Sequence, residues 1–442
     1  MSEIDVITLG AARKYIDECM EKFKASNGGI VYGFHVDAMN SNPNNAVTYL
    51  KQAVGMVPSY MNFNAGEWYW GSWKDAFFMP RPCMLKYDGT VDYYLKEDNY
   101  GLKEDGTASD VSNVEYDGNA MMEWGREGQR IYYKLVNDKN GSGYSCYISD
   151  CQVDEDYKCY PFINNEGDLV DHFYTPIYDG SLDEAGRLRS ISGTSDILSG
   201  SSGLTEIEAA RKNNPAGENL WYTENMADSI LINMLLVLIT KSLDSQSKVG
   251  MGNVNGGSDS NHSYIMPGTM NDKGLFWGKN GSGGSTTANH FGVKVFGMEN
   301  WWGNTWRRIA GLMVDKNAKV YYKLTWGTQD GSEIDGYPFN TPAGMIEAGV
   351  LPENLRTASN GFTSKTNAIN NEFLLPVEAA GSSSTYYCDL IASNPWGNIY
   401  AARGGASNLG GLAGAFALTL VNAVTNASWT YGASVSCKPL AR

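Results

Sequence analysis

The stretch Gly297-Met298-Glu299-Asn300-Trp301-Trp302-Gly303-Asn304-Thr305-Trp306 sets three indoles among glycines and asparagines. Trp301, Trp302 and Trp306, with Phe416 further along, can fill a core without long regular elements. The glycines let the chain turn where loops cross. Outward from this stretch, residues 293–296 and 318–326 alternate as strands do. The last strands are expected in 398–403, 415–421 and 429–437. Upstream, residues 224–242 read as a helix. Its centre, 230–239, is apolar on nearly every face, which places it in the middle of the domain. Thr205 followed by Glu208 forms a capping box for a shorter helix through Lys212. Residues 250–290 are rich in Gly, Ser and Asn and read as a long loop laid over the core.

From residue 30 to about 165 the pattern is strands and turns. Asp88-Gly89, flanked by 84–87 and 90–94, is a type I′ hairpin signal. Residues 137–143 join a second hairpin, between 130–136 and 144–148. Residues 8–24 read as an amphipathic helix with Leu9, Ala12, Ile16, Cys19 and Phe23 on one seam, stopped by Asn27-Gly28-Gly29. Such a helix either docks on its own domain or forms a short coil that attaches the protein to a larger assembly. No linker or repeat divides the chain. The expected organisation is an N-terminal attachment helix over 1–29 and one elaborated domain over 30–442.

The 442 residues carry a formal charge of −15 and include 50 Gly, 27 Tyr and 12 Trp. This composition supports a packed core with many turns. A nucleic-acid partner is not expected, because phosphate binding needs a basic face to displace counterions. The start Met1-Ser2-Glu3-Ile4-Asp5 lacks a basic n-region and an apolar h-region, so export by the general secretory route is not expected. The run 230–239, broken only by Asn233, is too short to span a bilayer, so no membrane insertion is expected. Seven scattered cysteines, Cys19, Cys83, Cys146, Cys151, Cys159, Cys388 and Cys437, lack zinc spacing and read as buried thiols. The histidines, His35, His172, His262 and His290, form no two-histidine metal motif. Residues 278–285 mimic a phosphate loop, but lack its lysine before serine and a strand leading in. No cofactor or metal is expected. No nucleophile elbow appears, and nothing points to a glycosidase pair among the many carboxylates.

The end of the chain is different in kind. After Asp389 there is no Asp, Glu or His, and the only charged side chains are Arg403, Lys438 and Arg442. General acid–base catalysis needs a group that titrates near neutrality, and this segment supplies none. It offers Asn, Ser, Thr, Tyr, Gly and small apolar residues, much as antibody paratopes do. Burial alone does not account for Asn394, Asn398, Asn408, Asn422 and Asn426, since buried amides need partners.

Arg403-Gly404-Gly405, Ala413-Gly414-Ala415-Phe416-Ala417-Leu418-Thr419-Leu420 and the stretch from Trp429 to Val435 with Gly432-Ala433 resemble the C-terminal segment of the variable proteins of diversity-generating retroelements. The stretch 297–306 resembles the Gly-Asn-x-Trp pattern of the formylglycine-generating-enzyme type of C-type lectin-like fold. Residues 78–95 resemble tail and adhesin proteins of gut bacterial phages. The resemblance covers roughly residues 30–440. It implies an α+β, C-type lectin-like fold with large insertions and a short N-terminal helix. It also implies adenine-directed variation of one face, concentrated over about 390–431. Codons varied in this way do not become Trp, Met, Lys, Glu or Gln, so Trp396 and Trp429 are expected to be frame; the resemblance places Gly404, Gly405, Gly414, Phe416 and Gly432 in the frame as well. The candidate variable, ligand-binding positions are Ser393, Asn394, Asn398, Tyr400, Ala406, Asn408, Leu409, Leu412, Thr419, Asn422, Ser428, Thr430 and Tyr431.

Two departures limit the analogy. Nothing in the sequence indicates a lowered thiol pKa at Cys388 or Cys437, as the reactive cysteines of the enzyme branch would require. The Glu-Pro-Asn and Gln-Pro-Asp motifs of calcium-dependent sugar recognition are also missing, so the fold name implies no sugar binding. The expected function is a non-enzymatic receptor-binding adhesin on a phage particle, made in the bacterial host cytoplasm and carried on a tail fibre or other exposed appendage. Its partners would be a bacterial surface receptor, protein or glycan, and other virion proteins through the N-terminal region, with a homotrimer giving avidity. The rival readings are an enzyme of the formylglycine-generating or polysaccharide-hydrolysing kind and a structural decoration protein of the virion.

Overall fold

The computed structural model describes residues 29–281, 291–325, 345–356 and 361–441. The helix expected over 8–24 lies outside them, as do the end of the long loop and the end of the strand expected over 318–326. The described chain is mostly sheet with few helices, a more β-rich body than the α+β expectation. The reason is local: the chain between helical segments turns every few residues on glycine or asparagine, so it settles into short strands.

An eight-stranded sheet carries the C-terminal segment. Its order is Ile346–Val350, Lys319–Tyr322, Trp306–Val314, Ile399–Arg403, Leu418–Leu420, Leu390–Ser393 and Gly361–Phe362, with Tyr431–Gly432 running parallel to Trp306–Val314. A seven-stranded sheet takes the strand Val435–Cys437 between Trp221–Thr223 and Phe173–Pro176. A four-stranded sheet holds Val31–Asp37 and the hairpin Tyr132–Asn137 with Gly143–Ser149. Two helices follow the sequence reading closely, and a third, the short Ser245–Val249, was not in it. Helix α1 spans Gly203–Arg211 and helix α2 spans Met226–Thr240. Ser202, not Thr205, caps α1: its side chain accepts from the Thr205 backbone N–H. The hydroxyl nearest the first free amide takes that role, one turn earlier than the capping-box reading placed it.

Helix α2 is buried along almost its whole length, as its all-round apolar surface requires. Asn225 caps its start by accepting from Asp228 N at 3.0 Å, and Lys241 ends it in the left-handed region at φ 51°. The hairpin at Asp88-Gly89 forms, but only Gly89 is left-handed, with φ 75°. Gly89 N donates to Lys86 O and Lys86 N to Thr90 O. The strands therefore close around a longer turn with a bulge, not a two-residue type I′ turn, which needs positive φ at both central residues.

The stretch 297–306 sits at the meeting point of these elements. Trp301 and Trp302 are fully buried. Asn304 takes positive φ and knits three segments together. Its Oδ1 accepts from Ile265 N and Asn253 Nδ2, both at 2.8 Å, while its Nδ2 donates to Asp179 Oδ2 at 2.7 Å. Asp179 also accepts from Asn300 Nδ2 at 2.9 Å and from Arg307 Nη2 at 2.7 Å. Gly303 is required between them, because a Cβ there would lie 2.8 Å from Asn253 O. The loop from residue 250 does lie over the core: Val254, Ile265, Met270, Leu275 and Phe276 are all buried.

Candidate functional site

The strands Leu390–Ser393, Leu418–Leu420 and Ile399–Arg403 lie side by side, with Ala392 opposite Thr419 and Thr419 opposite Ala402. Alternation divides their side chains between two faces. Ile391, Ile399, Ala401, Leu418 and Leu420 join a cluster with Met226 and Ile309, toward α2. Leu390, Ala392 and Ala402 face the other way and pack with Trp306, Ala406, Ala417 and Tyr431. Half-buried Leu409, Leu412 and Val421 roof this second cluster. Small side chains at 392, 402, 406 and 417 leave room for the Tyr431 ring and for the loops that cover it.

The candidate variable positions divide by burial. Asn408 is exposed, and Asn394, Asn398, Leu409, Leu412, Asn422, Ser428 and Thr430 are half-exposed. Ser393, Tyr400, Ala406, Thr419 and Tyr431 are buried. Backbone bonds link the stretches that carry Asn394 and Asn422. Asn394 N donates to Leu420 O at 2.9 Å, and Tyr400 N to Asn422 O at 3.0 Å. Asn422 Nδ2 donates to the Tyr431 hydroxyl at 2.7 Å, and Ser428 Oγ lies 3.0 Å from Thr430 Oγ1. None of the asparagines that burial could not explain is buried; Asn426 too is half-exposed.

Trp396, expected to be frame, is the exception to a packed role. It is 63 % exposed and held flat by one bond, Nε1 to Val421 O at 2.9 Å. Its neighbours in sequence are a proline and a glycine, which carry the indole out on a turn rather than into the sheet. Phe416 is half-buried, while Gly404, Gly405, Gly414 and Gly432 are buried. Gly414 packs directly on Asp389, where a Cβ would fall 2.0 Å from Oδ1.

The loop after residue 250 supplies a part of the surface that the sequence reading did not include. Gly256 N and Gly257 N both donate to Ser407 O at 3.0 Å, and Gly410 N donates to Val254 O. His262 stacks on Trp429 with ring centres 5.0 Å apart, and Trp429 Nε1 donates to Asp259 Oδ1 at 2.6 Å. These partners lie some 170 residues apart in the chain, so no local pattern marks them.

Buried ion pairs hold the frame. Arg308 pairs with Glu206, donates to Asn426 O at 2.6 Å and to Ser201 O at 3.2 Å, and lies 4.4 Å from the centre of the Tyr431 ring. It thereby anchors the turn 421–430 to the strand Trp306–Val314. Arg403 pairs with Glu224, donates Nη1 to Trp301 O at 2.7 Å, and stacks 3.4 Å over the Trp301 ring. Burial pulls its pKa down to about 10, against the opposing pull of Glu224. The two charged side chains of the segment that lie in the described region, Arg403 and Lys438, are thus both interior, Lys438 lying 3.7 Å from Asp228. Burial raises both Cys388 and Cys437, so neither thiol is poised as a thiolate. Among the described residues, the six cysteines are buried and unbridged, and no group of three or more His, Cys, Asp or Glu is placed to hold a metal ion. Among the described residues, no helix is long and apolar enough to cross a membrane. No family model matches the chain, and no curated protein matches it.

Proposed function

We propose that the protein is a phage receptor-binding adhesin of the retroelement-diversified kind, with a C-type lectin-like fold. It uses the eight-stranded sheet as a frame and the surface over Tyr431 as its binding face. One observation carries this reading. Uncharged side chains from separate stretches, Leu409, Leu412, Asn422, Ser428 and Thr430, gather around one buried cluster that includes Tyr431, and Asn394, Asn398 and Asn408 lie accessible in the loops next to its strands. Apart from Asp259 on the covering loop, which accepts from Trp429 Nε1, the charges nearby are turned inward and paired. A neutral face of amides, hydroxyls and aliphatic groups on a rigid support suits recognition: it offers adaptable hydrogen bonds, and changes at its exposed positions leave the fold intact. The buried candidates Ser393, Tyr400, Ala406, Thr419 and Tyr431 would shape the face from below.

The receptor is a bacterial surface protein or glycan, and the chain works as a homotrimer on a virion appendage, attached through residues 1–29. Trimerisation multiplies weak single contacts. Purified protein should compete with particles for adsorption to host cells. Asn398→Glu combined with Asn408→Glu should weaken that competition at least about tenfold, a loss of about 1.4 kcal/mol, with unchanged melting. Val114→Glu, at an exposed site elsewhere, should not. Protein that never competes, or a strictly monomeric protein at micromolar concentration, would sink the corresponding part of the proposal.

A further inference from the structure

Among the described residues, Trp396 is the one tryptophan left mostly in solvent. The loop that carries it is laced to the neighbouring strand end. Three successive carbonyls, Leu420 O, Val421 O and Asn422 O, accept from Asn394 N at 2.9 Å, Trp396 Nε1 at 2.9 Å and Tyr400 N at 3.0 Å. Trp396 N also donates to Asn394 O at 2.8 Å, which closes a tight turn around Pro395. The indole is therefore fixed through its N–H, and its exposed surface is free for contact. The chain leaves open space beside it: nothing lies within 4 Å of where a Cβ on Gly397 would stand. A large apolar ring held in water has no packing gain to offset its exposure in the unbound protein.

We propose that Trp396 is a stacking platform for a pyranose ring of a neutral surface glycan, with Asn394 and Asn398 hydrogen-bonding the hydroxyls of that sugar. The inference rests on the adhesin reading and narrows its receptor. A pyranose is amphipathic: the C–H bonds of one face suit the electron-rich face of an indole. The hydroxyls around its rim both donate and accept, as an amide side chain does. Asn394 and Asn398 flank Trp396 in the same loop, and both are half-exposed. A protein partner fits less well, because protein interfaces centre on clusters of apolar anchors. Within residues 390–431, Trp396 is the only large apolar side chain that is exposed. An anionic polymer fits less well too. Arg403 and Lys438 are buried. The turn after Val314, which pairs with Ile399, carries one charge of each sign, Asp315 and Lys316. Diversification that changes the asparagines and spares Trp396 keeps the stacking contact and alters which hydroxyls are read.

The test measures binding of the purified full-length chain to host cells by flow cytometry, with the cells untreated, oxidised with periodate or digested with proteinase K. Periodate cleaves vicinal diols and should remove most of the binding, while proteinase should leave it. Trp396→Ala should weaken binding to untreated cells at least about tenfold, with unchanged melting. Trp396→Tyr, which keeps a ring, should recover part of the loss. Tyr69→Ala, at an exposed tyrosine in another sheet, should bind as wild type does. Binding that survives periodate and is lost to proteinase overturns the sugar and leaves a protein receptor. Wild-type binding by Trp396→Ala overturns the platform and leaves the adhesin reading intact. A wild-type chain that binds no host cell removes the adhesin reading itself, and this inference with it.

Discussion

Arg403 is the residue whose surroundings say most about the segment around it. Its sequence neighbours are alanine and glycine, yet its partners are Glu224, at the entrance to α2, and Trp301. A buried pair of this kind adds little over an apolar pair, but breaking it is costly. Glu224→Ala should therefore destabilise the protein by about 3–5 kcal/mol in urea unfolding, and a loss below 1 kcal/mol would show that the guanidinium finds other partners. Asp228 carries a second prediction. Burial pushes its carboxyl up to about 6, with Lys438 and Tyr222 opposing and Glu224 reinforcing the shift. In the unfolded chain the value is about 3.9. The folded state takes up the proton first, so this contribution is complete below about pH 4 and is lost as pH rises through 6. The urea midpoint should decline over that window, and Asp228→Asn should flatten the decline whatever it does to the midpoint itself. None of these partnerships was legible in the sequence. Charge and residue type were visible there, but Glu224 and Arg403 lie 179 residues apart, beyond any local pattern.

At the level of elements, legibility followed length and periodicity. Helix α2 was read to within two residues at each end, because a long run with an apolar centre leaves little choice; its asparagine cap went unread. The hairpins at 81–96 and 132–149 were also visible, since alternation and turn residues agree. The strand read over 293–296 forms as Lys294–Val295, while the single strand read over 429–437 divides into Tyr431–Gly432 and Val435–Cys437, which join different sheets. The cap on α2 is testable: Asn225→Ala should cost about 1 kcal/mol. Lys241→Gly, which relieves a left-handed lysine, should stabilise by up to about 1 kcal/mol. Gly414→Ala should destabilise by more than either change, because its Cβ would meet the buried Asp389 carboxylate; thermal melting of the three variants sets the order.

Across the whole molecule, the sequence singled out residues 390–431 but could not separate what faces outward from what lies beneath. Asn422 and Tyr431 read alike as polar candidates, yet one is half-exposed and the other buried against Arg308. Trp396 read as frame and is carried at the surface. The loop bearing Asp259 and His262 reaches the face only because the chain folds back over it. This division gives the diversified-adhesin account its sharpest consequence. Deep sequencing of codons 385–442 in one clonal population, beside the rest of the gene, tests it directly. The account predicts substitutions concentrated at Asn394, Asn398, Asn408, Leu409, Leu412, Asn422, Ser428 and Thr430. It predicts fewer and more conservative changes at Ser393, Tyr400, Ala406, Thr419 and Tyr431, and none at Trp396, Gly414, Phe416, Trp429 or Gly432. Variation spread evenly along the gene, or striking those glycines and tryptophans as often as the asparagines, would contradict it.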